Sequence, residues 1–381
     1  MRLRSLALLP VLAAVVGGGL AAPAAASPEA RPYIVVLKDD VAHPSDVAAE
    51  HRRTHGAAVT RTYEHALKGY AASLTADAYG EVMRDRRVKY VEPDGVATTQ
   101  GSQTGATWGL DRIDQRVKAL DSTYTSTANG AGVTAYVIDT GIRSTHSEVA
   151  PRVTEGYDAF GGTTEDCNGH GTHVAGTLGG TTYGVAKGVS LVAVRVLDCA
   201  GSGSWSGVIA GIDWVTAHHG AAPAVANMSL GGGANSAVDD AVRRMIADGV
   251  PTAVAAGNGN AAGVAQDACK SSPARVGEAM TIGATDKSDK KTSWSNYGKC
   301  VDWFAPGAGI TSAWHQSDTQ TNTISGTSMA SPHVAGVAAL HLAAKGPATP
   351  AATRQALYDL TTQGIVTSSK TTNNHLLFTD Y

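Results

Sequence analysis

The run "VTAYVID" at residues 133–139 decides how this chain folds. Its apolar residues do not alternate with polar ones, so it reads as a strand covered on both faces, not the half-exposed strand of an open antiparallel sheet. Four further runs share that character: "LVAVRVLD" (191–198), "PAVANMSL" (223–230), "PTAVAAG" (251–257) and "AMTIGA" (279–284). Between them "SGVIAGIDWVTAHH" (206–219) and "SAVDDAVRRMIADG" (236–249) read as helices. Strands alternating with helices from Trp108 onward predict a doubly wound α/β domain with a mostly parallel central sheet. Ligands of such sheets gather beyond the carboxyl ends of the strands, which directs attention to the residue that closes each run.

At 381 residues, 43% of them hydrophobic, the chain can hold one large domain with a sizeable core and a small second one. A net charge of −3 gives no reason to expect a nucleic-acid or membrane-surface partner. The first 26 residues differ: Arg2 and Arg4 open them, the apolar run 6–22 follows, and small residues precede Ser27. This predicts a secretory signal peptide cleaved near Ala26; glycines and Pro23 interrupt the run, which disfavours a permanent anchor. No later stretch is long and apolar enough to span a bilayer, so a soluble, secreted product is expected. In an exported chain the four cysteines, Cys167, Cys199, Cys269 and Cys300, predict two disulfides. Three connectivities are open, and pairing Cys167–Cys199 and Cys269–Cys300 is the simplest.

Residues 31–95 contain no cysteine and read as strand, helix, strand, helix, strand: "PYIVVLK", "PSDVAAEHRRTHG" starting at a Ser or Asp cap, then "YAASLTADAYGEVMRDRRVKYVEP". The polar linker "DGVATTQGSQTGAT" (94–107) follows. A small α+β domain and an exposed connector are expected.

Asp139 closes the run "AYVID", where its carboxylate faces the crevice; alone it could equally cap a turn. Ser328 lies in "SGTSMASPHVAGVAALHLAA" (325–344) ahead of a long apolar helix. Pro332 is tolerated near a helix start, so the helix should begin at Thr327 or Ser328, with the Ser328 hydroxyl and N–H at its positive end. A plain N-cap serine is the bland alternative. His170, in "DCNGHGTHVAGTLGG" (166–180), supplies the base that a serine nucleophile needs, and Asp139 the carboxylate that orients it. Cys167, His170 and His173 could instead supply zinc ligands. Their spacing is tighter than structural zinc patterns, and export favours a disulfide for Cys167. The order Asp139, His170, Ser328 is the one found in subtilisins, not in α/β-hydrolases.

"AYVIDTGI" (135–142), "NGHGTHVAGT" (168–177) and "SGTSMASPHVAG" (325–336), with "WGLDRIDQ" (108–115) and "AAGN" (255–258), closely resemble the conserved segments of subtilisin-like serine proteases, most of all the proteinase K and aqualysin branch. The resemblance covers about 101–381 and implies a three-layer subtilisin-like fold with a mostly parallel central sheet. It implies a secreted endopeptidase with Asp139 orienting, His170 as general base and acid, Ser328 as nucleophile and Asn258 as oxyanion donor. Ser229, Leu230 and Gly231, with Ala255, Ala256 and Gly257, would line the S1 pocket; Gly201, Ser202, Gly203, Ser204 and Trp205 would pair with substrate backbone. A roomy, glycine-lined S1 implies broad apolar or aromatic P1 preference. Residues 27–100 resemble an inhibitor-type propeptide, a chaperone and inhibitor removed near Gly101; a dead protease acting as a binding protein is the rival class.

The same resemblance implies structural calcium and no catalytic cofactor. Asp111, Asp114, Gln115, Asp121 and Thr123 match one calcium loop. Asp302 with the carbonyls of Gly277 and Ala279 forms a second candidate, although Gly277 stands where the family commonly has proline. Protein and peptide substrates, the chain's own propeptide and a monomeric state are the expected partners and assembly.

Overall fold

A computed structural model describes residues 30–65, 68–94 and 102–381. The expected signal segment and the expected mature start near Gly101 lie outside the described residues. The chain divides into two compact units between Thr98 and Thr99.

The first unit runs β1 (Arg31–Leu37), α1 (Pro44–His55), β2 (Ala58–Tyr63), β3 (Gly69–Leu74), α2 (Ala76–Arg84) and β4 (Val88–Pro93). Its antiparallel sheet has the order β2-β3-β1-β4, with Val35, Leu37, Val47, Tyr70, Leu74 and Val82 in the core. β2 has no hydrophobic pattern in the sequence because "AVTRTY" buries none of its side chains fully; pairing with β3 makes it a strand. α1 also differs from expectation. Its N-cap is His43, without a side-chain cap bond, and Pro44 takes the first helical position, where its missing N–H is no loss.

The second unit carries seven parallel strands: β5 (Thr134–Asp139), β6 (Val153–Asp158), β7 (Ser190–Arg195), β8 (Ala224–Met228), β9 (Thr252–Ala255), β10 (Met280–Thr285) and β11 (Trp303–Pro306). Their order is β11-β10-β9-β8-β5-β7-β6, so the winding direction reverses between β5 and β8. Alternate side chains feed two cores. In β5, Ala135 and Val137 join one cluster while Tyr136 and Ile138 join the other. The first cluster includes α4 (His170–Gly179) and α7 (Thr327–Lys345); the second includes α5 (Trp205–His218) and α6 (Ser236–Ala247). Both faces being covered explains the unbroken apolar runs. α3 (Trp108–Ile113) and α8 (Pro350–Leu360) complete the helices used below.

Cys167–Cys199 and Cys269–Cys300 are bonded, the sequence-local pairing. Each closes a loop of about 30 residues, restricting the unfolded chain by roughly 3–4 kcal/mol. Among the described residues no helix is long and apolar enough to cross a membrane.

Candidate active site

The winding reversal puts the ends of β5 and β8 on either side of one crevice, where an open α/β sheet binds its ligand. Asp139 is fully buried at the end of β5. Its Oδ1 accepts from the Thr140 N–H at 2.8 Å and from His170 Nδ1 at 2.7 Å. Because the carboxylate can only accept, Nδ1 carries the proton, and Nε2 keeps its lone pair. Burial lowers the His170 pKa, but the charge and hydrogen bond of Asp139, aided by Asp166, outweigh it and leave the imidazole more basic than usual.

His170 is the first residue of α4, and the N-cap, Gly169, has no side chain to offer. Other residues satisfy the open N–H groups: Asn168 Oδ1 accepts from His170 at 3.2 Å, Thr140 Oγ1 from Gly171 at 2.8 Å and Asp166 Oδ2 from Thr172 at 2.9 Å. Asp166 Oδ1 also accepts from the N–H groups of Asn168 and Gly169. Gly169 has φ +108°, and a Cβ there would lie 2.4 Å from the Trp314 ring, so only glycine fits. Asp166 and Asn168 carry a signal legible in the sequence, since acidic and amide residues just before a helix are capping residues.

Ser328 is the second residue of α7, where its N–H points out of the helix end. Pro332 lies in the second turn, deeper than the expected first-turn position. Its missing N–H leaves the Ser328 carbonyl without the usual helical donor, and Ser229 Oγ donates to that carbonyl at 2.7 Å. Ser328 Oγ in turn donates to the Ser229 carbonyl at 3.1 Å. In this arrangement the Ser328 hydroxyl proton is directed at the Ser229 carbonyl and not at His170 Nε2.

Asn258 follows β9. Its Oδ1 accepts from the Thr327 N–H at 2.8 Å and from Thr327 Oγ1 at 2.9 Å, which turns the Nδ2 donors away from Thr327. Asn296 braces this loop, donating from Nδ2 to Ala256 O at 2.8 Å and accepting from the Gly259 N–H at 3.1 Å. Neither Thr327 nor Asn296 carried a sequence signal, because their partners are distant in the chain.

A cleft of about 840 Å³ collects these groups. His170, Ser328 and Asn258 line it, as do Gly201, Ser202, Gly203, Trp205, Ser229, Leu230, Gly231, Ala255, Ala256 and Gly257. Ser204, expected among them, is instead the N-cap of α5: its Oγ accepts from Gly207 N at 3.1 Å. Trp205, expected in the extended edge, is the first residue of that helix, and its ring lies over Gly232. Cys167 is in its disulfide and His173 is fully buried, its Nε2 3.0 Å from Ile310 O, so only His170 of the histidine cluster reaches the cleft.

The profile of the Subtilase family matches residues 130–377. The chain is a subtilase. The profile described as Peptidase inhibitor I9 matches residues 32–100, the first compact unit. This subtilase is 51% identical over 380 residues to the extracellular serine proteinase of Thermus sp. (strain Rt41A), an alignment covering 93% of this chain and 91% of that one. It is 42% identical to the cuticle-degrading serine protease of Arthrobotrys oligospora, over 91% of this chain and 89% of the relative. The crystal structure of a cold adapted subtilisin-like serine proteinase superposes with a TM-score of 0.69 at 52% identity, covering 72% of this chain and 98% of that one. The chain is therefore a serine endopeptidase with a subtilisin-like fold and an inhibitor-type N-terminal domain.

The two expected calcium sets fare differently. In α3 and the loop after it, Asp111 accepts from the Ser122 N–H at 2.8 Å, Asp121 from Thr123 N at 2.9 Å and Asp114 Oδ2 from Thr125 N at 2.7 Å. Asp114 Oδ1 is buried without a partner. Burial, with the charges of Asp111 and Asp121, pushes the Asp114 carboxyl up to about 6. Among the described residues no three acidic, histidine or cysteine side chains converge as a ligand cluster; Gln115, Thr123 and main-chain oxygens would complete the set. The Asp111 oxygens accept from Gln115 Nε2 and from the Asp121 and Ser122 N–H groups, so Asp114 Oδ1 is the buried side-chain oxygen left open to a hard cation. Asp302 contrasts: its Oδ1 pairs with Arg354 Nη2, and its Oδ2 accepts from the Thr281 N–H at 2.8 Å. Both oxygens are already engaged, one by a full positive charge, so the second set does not fit a calcium ion as expected.

Proposed function

We propose that Ser328, His170 and Asp139 hydrolyse peptide bonds through an acyl-enzyme. The Asp139–His170 hydrogen bond of 2.7 Å, beside a cleft shared by His170, Ser328 and Asn258, carries this reading. Ser328 Oγ attacks the scissile carbonyl carbon while His170 Nε2 takes its proton. The tetrahedral oxyanion accepts from the Ser328 N–H and from Asn258 Nδ2, each preoriented before reaction. His170 then passes the proton to the departing amine. Water, deprotonated by the same nitrogen, cleaves the ester and restores Ser328. Asp139 stays ionised and holds the tautomer.

Substrate would lie extended against Gly201–Gly203, with its P1 side chain between 229–231 and 255–257. The glycine and alanine walls leave room for apolar or aromatic side chains. Residues 1–26 act as signal peptide, 27–100 as chaperone and inhibitor, and 101–381 as a secreted, monomeric catalytic domain stabilised by calcium in the 111–123 loop. Treatment of the secreted protein with a fluorophosphonate probe, followed by peptide mass spectrometry, tests the reading. Modification should fall on Ser328 of a chain beginning near Gly101; labelling elsewhere, or none with casein left intact, defeats it.

A further inference from the structure

The Asp302 corner lies at the amino ends of β10 and β11, on the edge of the sheet opposite the cleft. Asp302 immediately precedes β11, and Gly277 to Ala279 lead into β10. Family resemblance would put calcium here, yet Arg354 of α8 occupies the carboxylate. The arginine is not a loose surface residue swung in by chance. Thr349 caps α8 by accepting from Ala352 N at 3.2 Å, and Pro350 fixes its first position. Thr353 and Leu357 are fully buried and lock the helix face, so Arg354, next to Thr353, projects along the flank toward Asp302. Its side chain is 33% exposed and that of Asp302 14%, a largely shielded pair. Arg354 and Gly277 also border one groove. The acidic side chain of that segment, Glu278, pairs with Arg243 at 3.3 Å.

We propose that Arg354 is a built-in cation that replaces calcium at the Asp302 site, so that this corner holds together without the metal. A guanidinium stays protonated across the accessible pH range and donates directionally to a carboxylate. A divalent ion entering the site would lose the Asp302 oxygen to Arg354 and face its positive charge at ion-pair distance. The proposal goes beyond the catalytic reading and does not depend on calcium in the 111–123 loop.

The test uses the full chain in a Ser328→Ala background, which keeps it intact. Bound calcium is measured by atomic absorption after dialysis, and thermal midpoints are recorded in EDTA and in millimolar calcium. Asp302→Asn should leave bound calcium unchanged. Arg354→Ala should gain one calcium per chain, melt below the parent in EDTA and recover when calcium is added; adding Asp302→Asn should abolish that gain. Arg354→Lys, which keeps a cation and the helix, should behave as the parent in calcium content. Asp114→Asn, which removes the loop site, should leave the gain by Arg354→Ala intact, separating the two sites. Loss of one calcium in Asp302→Asn alone, or no gain and no calcium-dependent midpoint in Arg354→Ala, overturns the proposal.

Discussion

Ser229 and Ser328 exchange two hydrogen bonds: Ser229 Oγ donates to the Ser328 carbonyl at 2.7 Å, and Ser328 Oγ donates to the Ser229 carbonyl at 3.1 Å. The first bond uses an acceptor that Pro332 frees by lacking an N–H four residues further along α7. The end of β8 and the start of α7 are tied at the cleft. Asn227 extends the tie, donating from Nδ2 to Ser229 Oγ at 2.9 Å while its Oδ1 accepts from Ser331 Oγ at 2.7 Å.

Ser229→Ala should therefore cost about 1–3 kcal/mol of stability, since it orphans the Ser328 carbonyl and a buried Asn227 donor. Pro332→Ala in the same chain restores an N–H for that carbonyl and should recover part of the loss. Chemical denaturation of the three variants measures this; a double variant no better than Ser229→Ala refutes the role given to Pro332.

The acid limb of kcat/KM should inflect above the ordinary histidine pKa, because Asp139 and Asp166 outweigh burial at His170. The base must be neutral to act, so activity rises with pH through that shifted value. The imidazolium–carboxylate pair stabilises the fold below the ordinary histidine pKa, and that contribution fades as pH climbs through the shifted one. Asp139→Asn should lower turnover by about 10⁴-fold and move the inflection down. A pH–rate profile with an unshifted limb contradicts the assignment.

Asn258→Ala should reduce kcat by about 10²–10³-fold with little change in KM, the signature of a donor used chiefly in the transition state. Thr327→Val removes one of the two donors that orient the Asn258 amide, worth about 1 kcal/mol or roughly fivefold in rate. Steady-state kinetics on a peptide amide separate the two effects. Equal losses in both variants would point to a general disruption of the α7 start.

At the calcium site proposed for the 111–123 loop, Asp114, with its carboxyl raised to about 6, should make binding pH-dependent. Without metal, the stability held by the protonated carboxyl is present below the ordinary aspartate pKa and is lost as pH rises through about 6. Calcium takes the carboxylate and releases the proton, so its affinity should rise over the same interval. EDTA should lower the thermal midpoint well above pH 6 and have a smaller effect well below it. Calorimetric scans with and without EDTA at both pH values check this, and Asp114→Asn should erase the difference.

Much of this architecture is legible in one dimension. Strands buried on both faces must be continuously apolar, hence "VTAYVID" and its companions announce a covered parallel sheet. Asp139 at a strand end, His170 before a small-residue helix and Ser328 ahead of Pro332 are local patterns, and the cysteines pair with their nearest neighbours in sequence. β2 escaped because a strand exposed along most of its length has no hydrophobic period to read. That Ser204 caps α5 was not legible, because a serine ending a glycine-rich edge and a serine capping the next helix look alike.

The tertiary structure decided what depends on direction and on distant partners. Thr327 orients the Asn258 amide across 69 residues, and Arg354 reaches Asp302 across 52. The sequence alone determined the sheet and the candidates for the reactive side chains, because each rests on periodicity or on neighbours in the chain. Packing of β8 against α7 determined where the Ser328 hydroxyl and carbonyl point, and packing of α8 on α7 determined that a guanidinium faces Asp302. Hydrogen bonds and ion pairs depend on orientation over a few ångströms, and only the folded chain sets that orientation.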